Sequence, residues 1–133
     1  MSRKSAYGIS IPAEPARVRE ARDFADAAAA AFGFDERSRY EIKLAASEAV
    51  TNAIQHGAQS PAERIKFSVV EEEHTLTFHV IDGGRFVPRV EDDDALREHG
   101  RGISFLARFM DEVCIGSDAS GTVVTFSKQL RNG

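Results

Sequence analysis

Apolar and polar positions alternate near the start of the chain. Tyr7, Ile9 and Ile11 interleave with Gly8 and Ser10, which predicts a strand over residues 5–12. The period then changes. In "PARVREARDFADAAAAAF", Val18, Ala21, Phe24, Ala25, Ala28 and Phe32 fall on one helical face. Pro15 suits the first turn of that helix and Gly33 its end. Asp35 is placed to cap a second helix, which runs to His56 and stops at Gly57. Residues 64–71 and 75–82 read as strands, and the polar "EEEH" makes them a hairpin. From Gly83 to about Gly102 no period holds, and an irregular run of that length in a compact domain marks a lid or binding loop. "ISFLARFMDEV" predicts a short helix, and "VCIGS" and "GTVVTFSKQL" predict two closing strands around a "DASG" turn. The order β-α-α-β-β-lid-α-β-β predicts an α+β fold. It is a two-layer α/β sandwich whose largely antiparallel mixed sheet carries helices on one face.

Composition narrows the class. The chain has 133 residues, 42% hydrophobic and 29% charged, as expected of one globular domain over residues 1–133. A net charge of −4 with scattered Lys and Arg argues against direct nucleic-acid binding. No apolar run approaches the roughly 20 residues that cross a bilayer, and "MSRKSAYGIS" lacks the apolar core of a signal peptide. The lone cysteine, Cys114, excludes an intrachain disulfide and a CxxC metal site. A reducing, cytoplasmic setting follows, with Cys114 expected to be buried in its strand.

Three stretches carry candidate chemistry. In "EIKLAASEAVTNAIQHGA", Glu48, Asn52 and His56 recur every four residues and so share one helix face. Ala45, Ala49 and Ala53 form a small-residue strip beside them, and Leu44, Val50 and Ile54 supply apolar surface elsewhere. A solvated face explains the bare spacing. In the chemical reading, the Asn52 amide oxygen is a hard neutral ligand suited to Mg²⁺. Glu48, one turn away, can take a proton from an attacking hydroxyl or water. His56 is open to a structural, phosphate-contacting or acid-partnering role. In "HVIDGGRF", Asp82 ends an apolar strand and can accept from an exocyclic amine, while Gly84 leaves room for a flat ring; a plain Asp-Gly turn is the alternative. In "HGRGISFL", Gly100 and Gly102 precede a helix, where free backbone N–H groups favour phosphate.

Taken in order, these three stretches resemble the N, G1 and G2 boxes of the GHKL (Bergerat-fold) histidine-kinase-like ATPases. "EAVTNAIQHG" and "GRGISFLARFMDEV" are similar to the corresponding boxes of the anti-sigma factor serine/threonine-protein kinases, and the similarity spans residues 5 to 130. The resemblance implies ATP and Mg²⁺ as cofactors. It makes Glu48 the catalytic base and Asn52 the Mg²⁺ ligand. Asp82 would bind the adenine amine, with Gly84 against the ring and Thr122 nearby. Gly100 and Gly102 would lend N–H groups to the phosphates, and Arg97 or Arg101 would face the γ-phosphate from a lid over about 83–102. The partners implied are a sigma factor, a small anti-anti-sigma (STAS-type) substrate and a second copy of the chain in a homodimer. One departure is plain: the family pattern Asp-x-Gly-x-Gly reads Asp82-Gly83-Gly84-Arg85-Phe86 here. A non-catalytic nucleotide switch acting on a partner such as a phosphatase, or a stand-alone histidine-kinase-type ATPase module, are the alternatives.

Overall fold

The structure is a computed structural model that describes residues 4–57, 62–83, 105–118 and 121–131. Strand β1 (Lys4–Pro12) leads through a 3-10 turn at Pro15–Arg17 into helix α1 (Val18–Phe32). Helix α2 (Glu36–Asn52) follows and continues as a π-helical turn at Ala53–Gly57. Then come β2 (Arg64–Glu72), β3 (Thr75–Asp82), β4 (Glu112–Asp118) and β5 (Gly121–Gln129). The strands form one sheet in the order β1-β2-β3-β5-β4, and every pairing is antiparallel. The expected mixed sheet is thus wholly antiparallel among the described residues.

Helix boundaries follow local chemistry. Gly33 closes α1 in the left-handed region at φ 107°, and its N–H donates to the carbonyls of Ala29 and Ala30. The Asp35 carboxylate caps α2 by accepting from the Ser38 N–H at 2.8 Å. That bond holds the Asp35 carboxyl below the usual carboxylate range. The helix expected over 103–113 is described as helical at 105–109, and β4 already begins at Glu112.

One face of the sheet is covered. Along β3, Leu76, Phe78, Val80 and Asp82 are buried while the alternate residues are half-buried. On the neighbouring strands Phe67 and Phe126 are also buried, and the three rings stack with centroids 5.6 Å (Phe67–Phe78) and 5.2 Å (Phe78–Phe126) apart. Phe24 of α1 meets Phe67 edge-on at 5.4 Å. Above these rings the helices pack through small residues: Ala21, Ala25, Ala28 and Ala29 of α1, and Ala45, Ala46 and Ala49 of α2, are all buried. The alanine strip beside the polar residues therefore serves close packing within the core. Arg39 of α2 adds a two-pronged pair to Asp26 of α1, at 2.9 and 3.2 Å.

Cys114 is exposed, contrary to expectation. Its neighbours Val113 and Ile115 face the core, so strand alternation turns Cys114 to the opposite face of the sheet.

Candidate functional site

Glu48 and Asn52 stand one turn apart at the end of α2, and both are half-buried. Their separation by four residues keeps them on one face. Beyond Asn52 the backbone widens into the π-helical turn that holds His56. Such turns are uncommon and concentrate at functional sites. The side chain of His56, and all of Gly84, Arg97, Gly100, Arg101 and Gly102, lie outside the described residues. Ala53 is 4% exposed and Ile54 packs on the core, so the turn is seated on the protein body. It packs against β3, the strand that ends in Asp82.

Asp82 and Thr122 face each other directly across the β3–β5 ladder. Both are only 4% exposed. Directly opposed residues bring their Cβ atoms to about 5 Å, so a carboxylate and a hydroxyl share one buried spot. A buried carboxylate needs hydrogen-bond donors around it. The two residues that the resemblance placed near adenine are thus brought together by register, although 40 positions separate them in the numbering.

A third residue holds this corner. Gly121 sits at φ 145°, and a Cβ there would lie 1.9 Å from the Asp82 carbonyl oxygen. Gly83, by contrast, has nothing among the described residues within 4 Å of such an atom. Sequence reasoning stressed the glycines after Asp82. The tightest requirement among the described ones falls instead on the glycine opposite, and the only hint of it was the turn that "DASG" predicts.

The described residues on both sides of 84–104 are anchored to β5. On one side is the Asp82–Thr122 register. On the other, the Asp111 N–H donates to the Ser127 carbonyl at 2.9 Å, and the Asp111 carboxylate accepts from the Gln129 N–H at 2.7 Å. Lys128 donates to the Phe109 carbonyl and pairs with Glu41 of α2 at 3.5 Å. A cavity of about 450 Å³ opens at this second anchor, beside Asp35, Glu41, Asp111 and Lys128. It lies at the start of α2, about 16 to 25 Å along the helix from Asn52 at 1.5 Å per residue. It is therefore separate from the Asp82–Thr122 corner.

Among the described residues no group of three or more His, Cys, Asp or Glu side chains is arranged to hold a metal ion. An all-protein cage is not what Mg²⁺ needs. It takes one or two protein oxygens, keeps waters and binds substrate phosphates. A half-buried Asn52 amide beside Glu48 fits that demand.

Among the described residues, a five-stranded antiparallel sheet carrying helices, Glu48 and Asn52 at the end of α2 and a buried Asp at the strand end define a class. The chain belongs to the histidine kinase-like ATPase domain family, whose model matches residues 11–128. Within that family its relatives include anti-sigma F factors. The one from Anoxybacillus flavithermus is 38% identical over 100 residues, spanning 68% of each chain. The one from Bacillus cereus strain G9842 is 36% identical over 102 residues, spanning 69% of this chain and 70% of that one. A crystal structure of the RsbU and RsbW domains of a Mycobacterium tuberculosis protein shares the fold, with a TM-score of 0.73 and 21% identity over 97% of this chain. This chain spans 33% of that longer protein.

Proposed function

We propose that the chain is an ATP-dependent anti-sigma factor that sequesters a sigma factor and phosphorylates Ser or Thr on an anti-anti-sigma (STAS-type) protein. It acts in the cytoplasm as a homodimer. The observation that carries the reading is the buried Asp82–Thr122 pair across β3 and β5, with the π-helical turn after α2 packed against β3. The similarity to anti-sigma F factors supports the same partners.

In this reading Asp82 accepts from the adenine amine and Thr122 orders the carboxylate. Asn52 holds Mg²⁺, which when bound offsets the charge of the phosphates. Glu48 takes the proton from the incoming Ser or Thr hydroxyl. The freed oxygen bonds the γ-phosphorus as the bond to the β–γ bridging oxygen breaks, and ADP leaves. Arg97 or Arg101 faces the charge that spreads over the transferred group. The phosphate gained by the substrate changes its charge at the docking surface and loosens its hold.

The test incubates the protein with Mg-ATP and a candidate anti-anti-sigma protein. Phosphoserine or phosphothreonine is expected on the partner, and Glu48→Gln should lower its rate of formation at least about 100-fold with nucleotide still bound. Transfer unaffected by Glu48→Gln removes the base assignment. Phe86, where the family pattern has glycine, favours a second reading as a nucleotide-bound switch. Tight ATP binding with partner release and no phosphoprotein would establish that one instead.

A further inference from the structure

We infer that Gly121 is a specificity-positioning residue: its missing side chain sets where the Asp82 carboxylate stands, and so how strictly adenine is told from other bases. The inference rests on the ATP reading of the Asp82–Thr122 corner and deepens it.

The two strands meet unusually closely here. A Cβ on Gly121 would lie 1.9 Å from the Asp82 carbonyl oxygen, 3.0 Å from its carbonyl carbon and 3.2 Å from the Gly83 Cα. All three are backbone atoms, which cannot swing aside as a side-chain tip would. Gly121 also adopts φ 145°, a conformation that L side chains rarely take. It pairs with Asp118 on β4 and immediately precedes Thr122, the residue opposite Asp82. One backbone position therefore fixes both members of the buried pair. Any methyl at 121 must push the Asp82–Gly83 backbone back by about 1 Å or more. A hydrogen bond tolerates N···O distances only between about 2.7 and 3.2 Å, so the carboxylate loses the amine while its strand remains paired elsewhere. Gly83, with no described residue within 4 Å of its Cβ position, shows no such contact.

A merely structural glycine would change affinity for every nucleotide alike. A positioning glycine changes selectivity. The probes are ATP and inosine triphosphate, which differ at the six-position of the ring, where the amine becomes a carbonyl. The parent protein should favour ATP by about 10-fold or more, the value of one charge-assisted hydrogen bond. Gly121→Ala should bring that ratio close to one. Gly116→Ala, on an exposed β4 residue with nothing among the described residues within 4 Å of its Cβ position, controls for an added methyl and should leave the ratio as in the parent. A folded Gly121→Ala protein that keeps the parent's ratio overturns the inference. A parent that binds both nucleotides equally overturns the ATP reading itself, and the two failures are distinct. If Gly121→Ala does not fold, amide exchange in the parent decides. The amides of Gly121 and Thr122 should be protected more by ATP than by inosine triphosphate, and equal protection overturns the inference.

Discussion

Asp82 is a carboxylate residue almost wholly removed from water. A carboxylate in such a place is a strong acceptor, because no competing solvent reaches it. Asp82→Asn keeps the shape but replaces a charged acceptor with a weaker neutral one. It should weaken ATP by about 1.5–3 kcal/mol, read by titration calorimetry, while inosine triphosphate binding changes far less. An equal loss for both nucleotides would place the amine elsewhere. Asp82 itself was legible in the sequence because a strand period ending in Asp-Gly is visible locally. Thr122 entered through resemblance alone, and its place directly opposite Asp82 is a matter of register, which the sequence does not show. The close contact from Gly121 was not legible, since it depends on the distance between two strands distant in sequence. Cys114 was misjudged for a related reason. Alternation shows which residues share a face, but the apolar residues on both sides of a cysteine do not say which face it takes.

At the scale of elements, most boundaries were written in caps and periods. Gly33 and Asp35 end one helix and start the next as their chemistry predicts. The π-helical turn after Asn52 was not foreseeable, because no residue type signals an inserted position within a helical run. The joint between the two helices makes a pH prediction. Hydrogen bonding from Arg39 holds the Asp26 carboxyl below its ordinary range. A carboxylate depressed in the folded state adds stability that is present above the unfolded value, near 3.9, and is lost as the pH falls through the folded one. Thermal melts should therefore show the parent losing its advantage over Asp26→Asn as the pH drops from about 7 to about 3. A constant difference across that range would mean that the pair contributes nothing through charge. The pair is partly exposed, so added salt should narrow the difference.

For the molecule as a whole, the three stacked phenylalanines join the strands beneath both helices. Phe78 lies directly opposite Phe126 and is fully buried. Phe78→Ala should cost about 3–5 kcal/mol, seen as a lower urea midpoint with an unchanged slope. A loss below about 1 kcal/mol would mean that the neighbouring rings collapse into the gap. The sheet order has a further consequence. β5 comes last among the described strands yet lies inside the sheet, between β3 and β4. Trimming the chain back to residue 120 would therefore not shave an edge. It would remove the middle plank, leave β4 with no neighbour to hold it, and strip Asp82 of its facing strand, so that nucleotide binding and cooperative unfolding should disappear together.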